Sequence, residues 1–139
     1  MAHVSEALQT LRTLYEQWGT TRGASAEAWL GLLADDVEVV SLGGGAPGIE
    51  FTKGGRGKAA AVRYLAGLAE NWEMLRYEVD EFITERDRIV VLGRCAFRNR
   101  RTGKVADTAK VDVYRFRDDL VVEFREFYDT AGMRDAATP

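Results

Sequence analysis

The spacing of apolar residues changes once along the chain, from a helical period to strand-like runs, and the change falls near Trp72. That order restricts the fold more than any single motif, because helices placed first and strands placed last must bury their apolar faces against each other. Val4, Leu8, Leu11, Tyr15 and Trp18 recur at steps of four, three, four and three. They form one stripe of a first helix, with Ser5 as its N-cap and an end near Gly19. A second, shorter helix is predicted after Ser25, with Glu27 in its first turn and Trp29, Leu32 and Leu33 as its apolar side. Val37 and Val39 flank Glu38 as a short strand. Residues 41–57 hold seven of the fourteen glycines and read as a loop that moves or covers something. Helical spacing returns over residues 58–70 through Val62, Leu65, Leu68 and Ala69.

Four strand runs follow, over residues 73–84, 88–99, 105–117 and 120–128, separated by the polar turns ERDR, RRTGK and RDD. Three helices followed by an antiparallel meander give an α+β layout in which a curved sheet packs one face on segregated helices. No repeat or linker interrupts the chain, so residues 1–139 are expected to form one domain, with residues 129–139 as a mobile C-terminal tail. A chain of this length buries about 68% of the surface its unfolded form exposes, enough for one core.

Composition removes several chemistries. A single cysteine, Cys95, cannot form an intramolecular disulfide or a cysteine-rich zinc module, which suits a reducing cytoplasm. The single histidine, His3, would have to serve any Ser-His-Asp, Cys-His or histidine-ligated metal site from the N-terminal tail, so no metal is expected. Nineteen basic against twenty-two acidic residues leave a charge of −3 without the clustered basic surface that phosphate backbones require; nucleic acid is not an expected partner. No 18-residue apolar run and no basic start followed by an apolar stretch occur, so neither a membrane span nor a secretory signal is expected.

The last hairpin carries the best chemical signal. A three-residue loop of Arg117, Asp118 and Asp119 would set Phe116 opposite Leu120, and hence Tyr114 opposite Val122, Asp112 opposite Phe124 and Lys110 opposite Glu126. All even-numbered side chains then share a face that is mostly apolar yet holds Lys110, Asp112 and Glu126. Charges there are costly unless paired or hydrated, and a partly dry setting raises carboxylate pKa values towards general acid or base work. The plainer alternative is a cross-strand ion pair with a solvated Asp112 and the odd face (Val111, Val113, Val121, Phe127) as the core. A two-residue turn would shift the register by one and dissolve the cluster.

Other motifs are weaker. Gly55, Gly57 and Ala60 fit G-x-G-x-x-A, with Asp80 twenty residues on, but an antiparallel meander follows rather than a parallel βαβ unit. Lys58 is followed by Ala59, so no Walker loop exists. Lys53, Arg56 and Lys58 near a helix start could attract an anion or be a solvated surface. Asp35, Asp36 and Glu38 read as a turn rather than a divalent-metal cluster. Tyr15, Trp18, Trp29 and Trp72 either line a cavity or fill the core.

LADDVEVVS after two helices, GRGKAAAVRYLAGLAE as a third, RIVVLGR, and above all VYRFRDDLVVEFREFYDTA together resemble the SnoaL-like and ketosteroid-isomerase-like members of the nuclear transport factor 2 superfamily, over residues 8–131. The resemblance implies three N-terminal helices packed on a strongly curved, mixed but mostly antiparallel sheet that forms a cone with a deep apolar pocket. It also implies a homodimer packed through the sheet, and a small lipophilic ligand. Members are isomerases, polyketide cyclases, epoxide hydrolases, dehydratases or catalytically silent binding modules. Where the isomerases carry their aspartate base this chain has Ser41. Tyr15 matches their oxyanion-hole tyrosine, and Ala109 stands in place of its acidic partner. The limonene epoxide hydrolases' tyrosine and asparagine fall at Val39 and Ser41, their arginine and aspartate near Gly93 and Cys95, and their last-strand aspartate at Glu126. The cyclases' fourth-strand histidine falls at Asp112. The expectation is a cofactor-independent proton-transfer enzyme. Asp112, Glu126 and Lys110 would be catalytic, with Tyr15 and Ser41 as hydrogen-bonding substrate contacts, Tyr128 as a further substrate contact and Trp18, Trp29 and Phe124 as apolar wall.

Overall fold

The computed structural model describes the backbone of residues 2–139 and side chains from Glu6 onward. The first helix, α1, is Ala2–Thr20, so it starts upstream of the expected N-cap Ser5 and runs one residue past Gly19. The side chains of His3, Val4 and Ser5 lie outside the described residues. Ala7, Leu11, Leu14, Tyr15 and Trp18 are all buried, the repeat of three and four that one helical stripe requires. Helix α2, Ala26–Leu30, follows Ser25, whose hydroxyl makes no capping bond. Strand β1 is Leu33–Ser41, longer than its valines suggest and including Leu33, which the apolar spacing places on the second helix. Ser41 begins a turn-rich segment containing a short 3-10 helix, Glu50–Lys53, and the two-residue β2, Gly55–Arg56. That segment is packed rather than loose, since Ile49 and Thr52 are fully buried.

Helix α3 is Lys58–Asn71. Its inner side carries the buried Ala60, Ala61 and Leu68 with the half-buried Tyr64 and Leu65, while Val62, expected on that side, is exposed. The strands β3 (Trp72–Glu85), β4 (Arg88–Asn99), β5 (Val105–Arg117) and β6 (Leu120–Tyr128) follow. The expected tail is instead helix α4, Thr130–Ala137, started by the Asp129 carboxylate accepting from the Gly132 N–H and docked through Met133, Ala136 and Ala137. Three small or flexible apolar residues on one side of two helical turns give it enough burial to hold.

The six strands form one sheet in the order β2-β1-β6-β5-β4-β3. β1 and β6 run parallel and every other neighbouring pair is antiparallel, so the architecture is α+β with a mixed, mostly antiparallel, open sheet. α1 lies against β3 and β4, α3 against β1, and α4 against β5 and β4. All of these helices cover the same side of the sheet. No described helix is long and apolar enough to cross a membrane.

The β5–β6 register corrects the expected hairpin in an instructive way. Arg117 pairs with Leu120, so the turn has two residues, Asp118 and Asp119, with Asp118 at a positive φ of 56°. By itself that turn moves the pairing by one residue. The ladder then slips again between Arg115 and Phe116, where Val122 is an extra residue on β6. Beyond this bulge Tyr114 faces Phe124, Asp112 faces Glu126 and Lys110 faces Tyr128. Two single-residue shifts restore the original parity, and Lys110, Asp112 and Glu126 remain on the inner face.

Candidate functional site

The β5–β6 ladder decides where the charges sit. Asp112 and Glu126 are cross-strand partners with only 3% and 2% of their surface exposed. Their side chains would repel each other across the ladder without a cation. Lys110, two residues before Asp112 on the same face, supplies it: its Nζ lies 2.6 Å from Asp112 Oδ1 and 3.0 Å from Glu126 Oε1. One ammonium thus bridges two buried carboxylates.

Hydroxyl groups complete the coordination. Asp112 Oδ2 accepts from the Tyr15 hydroxyl on α1 and, at 3.0 Å, from the Tyr77 hydroxyl on β3. Tyr77 in turn accepts from Lys110 Nζ at 3.3 Å. Since the Tyr15 proton is committed to Asp112, the 2.6 Å contact between Tyr15 and Tyr114 is donated by Tyr114. Glu126 Oε1 accepts from the Tyr64 hydroxyl of α3 at 2.6 Å, and Oε2 from Ser41 Oγ at 2.6 Å. Ser41 therefore accepts from the Tyr128 hydroxyl, 2.6 Å away, and Tyr128 accepts from the Gly43 N–H at 3.1 Å. A side chain at Gly43 would crowd this arrangement: a Cβ there would lie 2.8 Å from the Tyr128 hydroxyl and 2.6 Å from Thr52 Oγ1, so one of them would have to shift.

Asp112 accepts three hydrogen bonds, and Glu126 accepts two and forms an ion pair with Lys110. Burying an ion costs several kcal/mol even after relaxation, whereas each bond to a charged acceptor contributes about 1.5–3 kcal/mol. Three bonds are of the right size to offset the buried Asp112 carboxylate. Burial works against the Lys110 ammonium, but the charges of Asp112 and then Glu126 outweigh it and hold its pKa well above the ordinary lysine range. Burial and the Asp112 charge raise the pKa of Tyr15, Tyr77 and Tyr114 well above 10, and burial with the Glu126 charge does the same for Tyr64. All four phenols are neutral donors at neutral pH. Burial also pushes the Cys95 thiol up to about 11, so it is no nucleophile at neutral pH.

This cluster forms one wall of a cavity of about 110 Å³ between the sheet and the helices. That is the scale of cavities, about 150 Å³, that admit a benzene ring. Trp18, Trp29, Phe51, Leu65, Phe97 and Phe124 contribute apolar wall. Tyr15 meets Trp29 edge-on at 5.0 Å, and Trp29 meets Trp18 edge-on at 6.2 Å, so the aromatic lining is braced. Trp72, by contrast, is a core residue, 1% exposed in the second apolar cluster.

The structure gathers Lys110, Asp112, Glu126, Tyr15, Trp18, Trp29, Phe124 and Tyr128 at this cavity, and Ser41 reaches it through Glu126. Tyr64 and Tyr77 were missed. Tyr64 was legible as a polar-tipped residue among Ala61, Leu65 and Leu68 on a helix face. Tyr77 was not, because β3 slips register against β4 at Met74/Arg76 and again at Val79/Glu81. The surface motifs pair locally: Asp36 with Arg117, Glu38 with Arg56, Lys58 with Asp35. Among the described residues no group of three or more His, Cys, Asp or Glu is arranged to hold a metal ion.

The SnoaL-like domain family matches residues 11–124. The chain belongs to the SnoaL-like family. Among solved structures, this SnoaL-like chain is similar to an NTF2-like protein of unknown function from Burkholderia pseudomallei, with 30% identity, a TM-score of 0.82, and 96% of this chain and 98% of that one covered. It is also similar to an NTF2-like protein from Burkholderia xenovorans, with 25% identity, a TM-score of 0.78, and 96% and 97% covered. TerC, crystallised with polyporic acid, shares the fold at 23% identity and a TM-score of 0.78, with 94% and 97% covered. No curated protein matches the sequence. The expected fold and membership both hold.

Proposed function

We propose that this SnoaL-like domain is a cofactor-independent enzyme that transfers protons on a small lipophilic molecule bearing a carbonyl or epoxide, as an isomerase, cyclase or hydrolase. The observation that carries the proposal is the pair of buried carboxylates, bridged by one ammonium, on the wall of a mostly apolar cavity. An ionised carboxylate offers about four lone-pair sites; Asp112 accepts three hydrogen bonds, and Glu126 accepts two and faces the Lys110 ammonium. The fourth site on Asp112 takes a proton from substrate carbon or from water. Glu126 orients the water or the second polar group of the substrate.

Charge accounting supports such a step. Two carboxylates and one ammonium give the site a net charge of −1, and moving a proton from substrate to Asp112 transfers that charge to the substrate without creating a new one. A protonated Asp112 also holds Tyr15, Tyr77 and Lys110 less strongly. Any of the three can then turn to a developing oxyanion, which strengthens only as the reaction proceeds. Asp112→Asn and Glu126→Gln are expected to lower turnover across carbonyl and epoxide panels by about a hundredfold or more, with the fold retained. Unchanged turnover in both variants would refute the assignment.

One observation favours a second reading. Carboxylates held by hydroxyls and an ammonium are also what a static polar floor under a bound lipophilic ligand needs, so a non-catalytic binding module fits the same geometry. Ligand affinity that survives both substitutions, with no turnover by the wild type, would select it. In either case we propose a homodimer joined through the outer face of the sheet, in a reducing cytoplasm and without nucleic-acid or membrane partners.

A further inference from the structure

The cavity's hydrogen-bond and charge inventory specifies its ligand further, resting on the reading of that cavity as the ligand site. Lys110 has three N–H groups, and three acceptors surround it: Asp112, Glu126 and the Tyr77 oxygen. The protons of Tyr15, Tyr64 and Tyr77 go to the carboxylates, that of Tyr114 to Tyr15, and that of Tyr128 to Ser41. Every hydroxyl hydrogen of the cluster is therefore committed inside it, and the Lys110 ammonium donates to Asp112 and Tyr77 and ion-pairs with Glu126. Left over are acceptors: free lone-pair sites on the two carboxylates, and the phenol oxygens of Tyr64 and Tyr114. The Trp29 indole N–H is buried without a partner, but it is a single neutral donor and leaves the charge balance unchanged. Two carboxylates against one ammonium leave a surplus negative charge behind aromatic walls.

We propose that the cavity takes a lipophilic amine in its ammonium form, the cation directed at Asp112 and Glu126 and the apolar body against Trp18, Trp29 and Phe124. An ammonium supplies donors to the free lone-pair sites of the two carboxylates. It brings the buried charge to zero, and it is favoured by the faces of the surrounding aromatic rings. A carboxylate or phosphate of the same size would raise the buried charge to −2 or beyond and find no free hydroxyl hydrogen. A substrate of this class carries its amine in addition to the reacting carbonyl or epoxide.

Benzylamine, benzyl alcohol and benzoate share a ring and differ in head group, and their binding to the wild-type protein by calorimetry tests the inference. Benzylamine is expected to bind about tenfold or more tightly than benzyl alcohol, with benzoate weakest. In Asp112→Asn, which brings the site to neutrality, the benzylamine preference over the alcohol should fall to about twofold or less. A wild-type preference for benzoate or the alcohol, or a benzylamine preference unchanged in Asp112→Asn, overturns the inference while leaving the proton-transfer reading to its own turnover test. Failure of all three probes to bind overturns both the inference and the cavity as ligand site. The wild-type ranking needs no variant, so the test survives a poorly folded Asp112→Asn.

Discussion

Lys110 is the residue on which the site's stability turns. Replacing it by Met keeps volume but leaves Asp112 and Glu126 facing each other, buried, with no cation between them. Breaking a buried ion pair by removing one partner costs about 3–5 kcal/mol, because a bare charge remains. Urea denaturation of Lys110→Met should show a loss of that order, and Lys110→Met combined with Asp112→Asn should recover part of it. Alkaline pH reads the same cluster. The folded pKa values of Tyr15, Tyr64, Tyr77 and Tyr114 are raised above 10.0 and that of Lys110 above 10.5. Above pH 10 the unfolded chain therefore sheds protons that the folded chain keeps. The stability these groups contribute is complete below pH 10 and falls as pH rises, with a slope of up to about 1.4 kcal/mol per pH unit for each group. Urea midpoints between pH 9 and 11 should fall accordingly, and the tyrosinate absorbance of these four should appear only with unfolding.

At the scale of elements, the placement of the cluster depends on irregularities in otherwise regular strands. The Val122 bulge returns Glu126 to the inner face after a turn that would have sent it outward. Opposite, the β3 bulge at Val79/Glu81 brings its backbone so close to β4 that a Cβ on Gly93 would lie 2.2 Å from the Glu78 carbonyl oxygen. Backbone cannot give way as a side-chain tip can, and overpacking of this kind costs about 1–3 kcal/mol or more. Gly93→Ala is expected to lose at least that much in thermal or urea unfolding, although it sits in mid-strand where alanine is normally better tolerated than glycine. A neutral Gly93→Ala would show that β3 and β4 are not held this closely.

The four strand runs and the helical stripe of α1 were legible because their apolar periods are long and few tertiary effects compete with them. The last helix was not: TAGMRDAA buries only Met133, Ala136 and Ala137, a pattern too short to separate from a polar tail in sequence. The charged trio keeps the parity that a three-residue turn implies, although the turn has two residues. Two shifts cancelled, and the local residues RDD gave no sign of the second.

For the whole molecule, the outer sheet face bears on assembly. Val90 pairs with Val113, and Leu92 with Val111, which pairs with Phe127. These apolar side chains lie on the face away from the cavity, and Phe127 is 40% exposed. The proposed dimer would cover them. Sedimentation should then give about twice the 15.5 kDa chain mass, and Val111→Glu should return it to the monomer. A wild-type monomer at micromolar concentration would end that proposal.

The sequence by itself determined the helix-then-meander order, the family and the residue types available for chemistry, because periodicity and composition are local properties that a chain carries unfolded. Tertiary structure alone decided that Tyr64 and Tyr77, from a helix and a twice-bulged strand, would donate to carboxylates 62 and 35 residues away. Hydrogen-bond partners at such separations are set by register and helix docking. Both depend on the sum of many weak contacts, and no short segment encodes that sum.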